Sequence, residues 1–137
     1  MVRIIDASGL ILGKLASYVA KRALMGEEIA VVNCEKAIIT GSRQSILANY
    51  KHKRERGYAT KGPFFPRMPD RFVRRTIRGM LPFHQDKGRL AFKRILCYVG
   101  EPKDLKGQKE TVKEASSENL RSAFLTVGKI SELLGAK

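Results

Sequence analysis

The chain has 137 residues, of which 43% are apolar and 29% are charged, and its formal net charge at pH 7 is +14. The length predicts a single domain over 1–137, and the near-average composition excludes a largely disordered chain. No apolar run reaches membrane-spanning length and no signal peptide is recognisable, so we expect a protein that stays in the compartment where it is made.

The first third of the chain has the pattern of a strand, a helix and a second strand. Residues 2–6 are short and β-branched, which predicts a strand. Apolar residues then recur every three or four positions over 10–25, which predicts an amphipathic helix with Ser8 as its N-cap and Gly26 just beyond its end. The continuous apolar run at 29–33 is typical of a buried parallel strand, so we predict a right-handed βαβ unit.

The middle of the chain predicts one more strand and two helices. Residues 37–40 form a short apolar run, and Ser42 is a suitable N-cap for a helix whose later turns become strongly basic. Two glycines and three prolines in 57–69 exclude helix and sheet there and predict an extended loop. A third helix is predicted at 70–80, between Asp70 and Pro82.

The last third predicts shorter elements. A helix at 88–94 precedes a last apolar strand at 95–99, and residues 101–116 have the composition of a solvated connection. Two short helical pieces follow, at 117–120 and 127–134. The elements together predict a three-layer α/β/α fold with a small, mostly parallel four-stranded sheet, an extended basic loop and a peripheral C-terminal extension at 101–137.

Positive charge is concentrated in one segment. Residues 43–94 contain 15 Lys and Arg against three acids, whereas the other 85 residues contain 12 against 10. Seven of the ten aromatic residues also lie in 43–94, so this segment combines charge with stacking surface. A nearly neutral scaffold with one basic segment favours a polyanionic partner, of which nucleic acid is the commonest.

The predicted helix at 70–80 carries a stripe of arginines. Arg71, Arg74, Arg75 and Arg78 follow helical spacing, whereas Phe72, Val73, Ile77 and Met80 lie largely off the stripe and are expected to pack inward. Guanidiniums this close repel one another in the free protein, but they attract a phosphate backbone. Each guanidinium can donate two hydrogen bonds to the oxygens of one phosphate. A solvated face without a partner is the alternative interpretation.

Further cations extend this surface on both sides. They are Lys51, Lys53, Arg54, Arg56, Lys61 and Arg67 before the stripe, and Lys87, Arg89, Lys93 and Arg94 after it. Tyr58, Phe64 and Phe65 either stack on unpaired bases or anchor the loop to the core. No helix-turn-helix or zinc module is recognisable, so RNA is favoured over DNA.

An enzymatic interpretation finds little support. Residues 9–14 resemble the phosphate loop GxxxxGK[ST], but the spacing is one residue short and Leu15 replaces the metal-binding hydroxyl. Backbone amides near Ser8 and Gly9 remain candidates for holding an RNA phosphate at a helix N-terminus. His52 and His84 have no nearby acid to orient them. We expect no catalytic residue, no cofactor and no small-molecule substrate.

The two cysteines also argue against a metal site. Cys34 and Cys97 are far apart in the sequence, each within an apolar run, and no CxxC motif is present. This pattern predicts ordinary buried thiols instead of a zinc site or a disulfide framework.

Three motifs resemble a known family. Residues 6–17, residues 31–36 with Thr40-Gly41, and Arg-Thr-Ile-Arg-Gly-Met-Leu-Pro at 75–82 are similar to the universal large-subunit ribosomal protein thirteen family. Residues 62–70 and 126–135 look more like its archaeal branch than its bacterial one. The sequence Phe-His-Gln-Asp at 83–86 departs from the family, which usually has a basic residue there.

The resemblance implies a cytoplasmic component of the large ribosomal subunit that binds ribosomal RNA beside neighbouring ribosomal proteins and has no catalytic residues. It also implies a parallel four-stranded sheet in the order three-two-one-four. Two rival functions remain open: a nucleotide-dependent enzyme that uses residues 8–14, and an RNA-binding regulator that acts outside the ribosome.

Overall fold

The structure is a computed structural model, and it describes residues 2–57, 60, 66–105, 107–117, 120 and 122–135. The strands are β1 (Val2–Asp6), β2 (Glu28–Val32), β3 (Ile38–Thr40), β4 (Ile95–Cys97), β5 (Lys109–Glu110) and β6 (Phe124–Thr126). The α-helices are α1 (Leu12–Leu24), α2 (Arg43–Glu55), α3 (Pro69–Arg78), α4 (Asp86–Lys93) and α5 (Val127–Leu133), and short 3₁₀ helices span Cys34–Lys36 and Lys113–Ala115.

The main sheet has four strands in the order β4-β2-β1-β5, and every neighbouring pair is parallel. Ile4 lies opposite Ala30, and Val31 lies between Ile5 on one side and Cys97 on the other. Parallel strands need long crossover connections, and α1 provides the one between β1 and β2. The sheet and its helices form the predicted three-layer α/β/α fold.

The predicted strand order holds when the strands are numbered within the main sheet. The third and fourth strands, however, are not the predicted segments. Counted within the sheet, the order is three-two-one-four, with β4 as the third strand and β5 as the fourth. The predicted strand at 37–40 instead pairs antiparallel with β6 in a separate two-stranded sheet. Asn33, which has a left-handed φ of 56°, and the following 3₁₀ turn redirect the chain away from the main sheet before β3 begins.

The C-terminal part of the chain is not peripheral. Residues 95–99 do not form the last strand, because β5 adds to the free edge of β1 from within the predicted solvated connection. Val112 and Ala115 of that connection are buried, and so are Val127 and Ile130 near the end of the chain. The predicted helical piece at 127–134 is confirmed as α5, whereas 117–120 lies partly outside the described residues.

Helix α1 has the predicted amphipathic character. Its buried residues are Leu12, Leu15, Ala16, Val19, Ala20 and Ala23. The helix begins later than predicted, with Ile11 and not Ser8 at the N-cap position. Gly26 ends it as predicted: its φ is +98°, its N–H donates to Ala23 at 3.1 Å, and the N–H of Glu27 donates to Arg22 at 3.3 Å.

The other helices lie close to their predicted positions. The Oγ of Ser42 accepts from the N–H of Ser45 at 3.2 Å, which confirms the predicted cap of α2. Helix α3 buries Phe72, Val73 and Ile77 as predicted, whereas Met80 is 44% exposed because α3 ends before it. Helix α4 starts two residues before its predicted position.

A polar cluster occupies the edge of the main sheet where the parallel strands end. The side-chain amide of Asn33 donates to Asp6 at 3.1 Å and to Glu101 at 3.2 Å, and Glu101 pairs with Lys109. Burial raises the pKa of Asp6, but hydrogen bonds from Ser8 and Asn33 outweigh burial and hold the pKa below its usual value. Ligands of open α/β sheets commonly bind at this edge, but here its polar groups bond to one another.

Candidate nucleic-acid interface

Most of the predicted RNA-binding residues lie at the protein surface. The exposed ones are Lys51, Lys53, Arg56, Arg67, Arg71, Arg75, Lys87 and Arg89, and the half-buried ones are Arg54, Arg74 and Arg78. Lys61, Tyr58, Phe64 and Phe65 lie outside the described residues. The exposed cations come from α2 and the residue that follows it, from the turn before α3, and from α3 and α4, so they are spread over four consecutive parts of segment 43–94.

An aromatic contact holds the basic helix α2 on α3. The ring centroids of Tyr50 and Phe72 are 4.8 Å apart, and Phe72 is fully buried. Burial also raises the pKa of the Tyr50 phenol above its usual value. The ammonium of Lys53 lies 4.8 Å from the centroid of the Tyr50 ring. The contact therefore fixes the basic turns of α2 relative to the arginines of α3.

Two of the predicted surface arginines bond to the ends of other helices. Arg54 donates to the carbonyl of Leu134 at the end of α5, and Arg94 donates to the carbonyl of Ala23 at the end of α1, at 3.0 Å. The last carbonyls of a helix lack partners within it, and the helix dipole attracts a cation there. These two guanidiniums thus stabilise the scaffold.

The arginine stripe of α3 divides into two kinds of residue. Arg71 and Arg75 are exposed as predicted, but Arg74 lies against α4 and β4. Its guanidinium donates to the carbonyls of Ile95 at 3.0 Å and Phe92 at 3.2 Å, and its central carbon lies 3.9 Å from the centroid of the Phe92 ring. Arg74 therefore joins α3 to the junction between α4 and β4.

Arg78 belongs to a stack of arginines and aromatic rings. Its guanidinium carbon lies 4.1 Å from the centroid of the Phe83 ring. The rings of Phe83 and Phe92 meet edge to face, with centroids 5.6 Å apart and planes at 81°. Because Arg74 lies on Phe92, the four side chains form a continuous stack between α3 and α4.

A pocket of about 450 Å³ lies at the turn between α3 and α4. Its lining residues are Arg75, Arg78, Gly79, Leu81, Pro82, Phe83, His84 and Gln85. Much of this lining comes from the Arg-Gly-Met-Leu-Pro motif. The rest includes Phe83, His84 and Gln85, which lie where the chain departs from the family pattern. The pocket combines two guanidiniums with an apolar wall.

The turn before α1 does not offer free amides for a phosphate. The N–H of Ser8 donates to Asp6 at 2.9 Å and that of Gly9 to Lys36 at 3.2 Å. The N–H groups of Leu10 and Ile11 donate to backbone carbonyls, at 3.1 and 2.7 Å. The expectation that amides near Ser8 and Gly9 hold an RNA phosphate was therefore wrong, because the fold uses these donors itself.

A second basic surface lies outside segment 43–94, on the outer face of α1. Lys14, Lys21 and Arg22 line a groove there, and Glu114 lies in the same groove. Arg22 lies over the ring of Tyr18, with its guanidinium carbon 5.3 Å from the centroid. The helical pattern indicated these positions as the outer face, but counting charge along the sequence placed them in a nearly neutral region.

The prediction of two buried thiols is confirmed for Cys34 but not for Cys97. Cys34 is fully buried, Cys97 is half-buried and both are free. A hydrogen bond with Cys97, together with burial, raises the pKa of the Cys34 thiol above its usual value. In the described part of the chain, no three His, Cys, Asp or Glu side chains are grouped to hold a metal ion, and no helix has the length and hydrophobicity to cross a membrane.

Replacing Arg74 by Ala should destabilise the fold by about 1–3 kcal/mol, because the substitution removes charged hydrogen bonds to two backbone carbonyls and the contact with Phe92. Replacing the exposed neighbour Arg75 by Ala should leave the free energy of unfolding nearly unchanged. Urea denaturation of the two variants measures the difference. Equal stability of both variants would show that Arg74 does not join α3 to α4.

Comparison with known proteins identifies the family. Residues 1–104 match the family described as Ribosomal protein L13. The chain is 49% identical over 137 residues to the large ribosomal subunit protein uL13 of Methanosarcina barkeri, with 98% of each chain covered. It is 45% identical over 135 residues to uL13 of Archaeoglobus fulgidus, covering 96% of this chain and 86% of the relative.

A third relative gives the same result over nearly the full length. Large ribosomal subunit protein uL13 of Methanocaldococcus jannaschii is 49% identical over 139 residues, with 98% of each chain covered. These relatives also match the C-terminal residues of the chain, which lie beyond the residues 1–104 matched by the family. The chain therefore belongs to the ribosomal protein L13 family.

Proposed function

We propose that this protein is a structural component of the large ribosomal subunit in the cytoplasm, where it binds folded ribosomal RNA through segment 43–94. The observation that carries the proposal is the group of exposed cations on α2, α3 and α4, within the segment that holds most of the net positive charge of the chain. Family membership and the names of the relatives support the same role.

In this proposal the cations of segment 43–94 have two tasks. Arg54, Arg74 and Arg94 hold helices and strands in place by donating to backbone carbonyls. Exposed cations such as Arg71 and Arg75 neutralise phosphates where RNA segments converge. Phosphate contacts fix the position of a protein on RNA without reading a base sequence, which suits a component with a structural role.

The proposed role needs no catalysis and no small-molecule substrate. The rival nucleotide-dependent enzyme would use residues 8–14, and within them the N–H groups of residues 8–11 bond to the protein itself. The proposed partners are large-subunit ribosomal RNA and neighbouring ribosomal proteins. We further propose that 1–137 acts as a single domain, because one core contains residues from Ile5 to Leu134.

Sedimentation of a cell extract tests the proposal. The tagged protein should sediment almost wholly with large subunits in a sucrose gradient. A triple variant with Arg71→Ala, Arg75→Ala and Lys87→Ala should shift toward the top, because it loses three exposed charges of the proposed interface. The matched control removes three exposed lysines elsewhere, with Lys36→Ala, Lys103→Ala and Lys113→Ala, and should sediment like the natural chain.

A rival function predicts a different distribution of the protein in the sucrose gradient. An RNA-binding regulator outside the ribosome would leave most of the natural chain in the light fractions, and this result would overturn the proposal. Loss of association in both triple variants would also contradict it, because segment 43–94 would then have no special role.

A further inference from the structure

The pocket at the turn between α3 and α4 has a rigid backbone. The N–H of Phe83 donates to Leu81 at 2.8 Å, and the N–H of Gln85 donates to Pro82 at 2.9 Å. The backbone of Pro82 and Phe83 also packs directly on Gly88, where even a methyl group would overlap with it. The residues that line the pocket are therefore held in place before any ligand arrives, which lowers the entropic cost of binding.

The guanidinium of Arg78 has a fixed support. It lies on the ring of Phe83, which packs edge to face on Phe92, and Arg74 on the far side of Phe92 is bonded to two backbone carbonyls. One face of the Arg78 guanidinium is therefore covered by an aromatic ring. Unstacked RNA bases stack on planar guanidiniums as they do on aromatic rings, and Arg78 is half-buried and lines the pocket, so a base in the pocket can reach it.

The other lining residues also fit a base better than an isolated phosphate. Leu81 and Pro82 give the pocket an apolar wall, whereas the exposed His84 and Gln85 offer hydrogen-bonding groups for a base edge. Ligand sites typically have volumes of about 300–1,000 Å³ and combine apolar walls with a few polar groups, as this pocket does. Arg75 beside it can neutralise the phosphate attached to the same nucleotide.

We propose that this pocket holds one unpaired base of the bound RNA, stacked on the guanidinium of Arg78. The proposal rests on the proposed RNA-binding function and adds a ligand class to one part of that surface. Phosphate neutralisation alone treats paired and unpaired RNA similarly, whereas a stacking pocket favours RNA with an extruded base. This difference makes the proposal testable with two otherwise identical RNAs.

The test compares two short RNA stems, one fully paired and one with a single bulged 2-aminopurine. Base stacking on a side chain is worth about 1–3 kcal/mol, so the natural chain should bind the bulged stem about 5- to 150-fold more tightly. The fluorescence of the 2-aminopurine should also change on binding, because this base enters the pocket. Both affinities are measured at the same low salt concentration.

The variant Arg78→Lys separates stacking from charge, because lysine keeps the positive charge and lacks the planar group. It should still bind the paired stem in a salt-dependent way, and the ratio of the two affinities, which measures the preference for the bulged stem, should fall to about 1. A urea midpoint close to that of the natural chain shows that the variant is folded. A preference retained in Arg78→Lys, or none in the natural chain despite salt-dependent binding of both stems, overturns the pocket alone. Failure to bind either stem overturns the RNA-binding function as well.

Discussion

Raising the salt concentration from 50 to 200 mM should weaken binding to large-subunit ribosomal RNA by about 10³- to 10⁵-fold, if about six to ten phosphates are neutralised. Cations that bind phosphates release the counterions that surround the RNA, and added salt opposes that release. Among the predicted site residues, eight cations are exposed in the structure, which matches this range of contacts. Fluorescence anisotropy over a series of salt concentrations measures the slope.

The structure also limits how many cations contribute to this slope. Arg54, Arg74 and Arg94 donate to backbone carbonyls, so their guanidiniums are engaged before RNA binds. Removing Arg71 and Arg75 together should lower the slope of log affinity against log salt by about 1.4–1.8, because each lost phosphate contact contributes about 0.7–0.9. A response to salt that is nearly flat would contradict phosphate neutralisation by this surface.

Elements with a strong local pattern could be predicted from the sequence. The apolar stripe of α1 and the cap of α2 depend on side chains within a few residues of one another, and both were found as predicted. Strand β5 carries no such pattern, because it consists of Lys109 and Glu110 and both are exposed. Its place in the sheet depends on pairing with β1, which lies more than 100 residues away in the sequence.

In the candidate site, too, features set by the local sequence could be predicted, and features set by distant contacts could not. Helical spacing correctly brought Arg71 and Arg75 to the surface, because a helix face follows from the sequence alone. The same spacing placed Arg74 on that face, yet its guanidinium bonds to carbonyls of Phe92 and Ile95. These acceptors lie 18 and 21 residues further along the chain, so only the packing of α4 and β4 against α3 reveals them.

Replacing Gly88 by Ala should destabilise the protein by about 3 kcal/mol or more, at or above the upper end of the usual cost of overpacking a core. A Cβ at this position would lie 2.0 Å from the carbonyl oxygen of Pro82, 2.4 Å from its carbonyl carbon and 3.0 Å from the nitrogen of Phe83. These are backbone atoms, so no side-chain rotation relieves the overlap, and either α4 or the turn at 79–85 must move.

The sign of this effect distinguishes tertiary packing from helix propensity. Gly88 lies within α4, where propensity alone predicts that alanine stabilises the helix by about 0.8–1 kcal/mol. Gly79 is the matched control, because a Cβ there would lie 3.5 Å from the nearest heavy atom, the carbonyl oxygen of Thr76, and its φ of −64° suits alanine. Gly79→Ala should therefore change stability by less than about 1 kcal/mol.

Urea unfolding followed by circular dichroism measures both variants, with the free energy of unfolding obtained by linear extrapolation. If Gly88→Ala is as stable as Gly79→Ala, then α4 does not pack on Pro82 and Phe83 as the structure shows. The expected loss has a consequence for RNA binding too. A displaced Phe83 no longer supports Arg78, so any Gly88→Ala protein that stays folded should bind paired RNA and lose the preference for a bulged base.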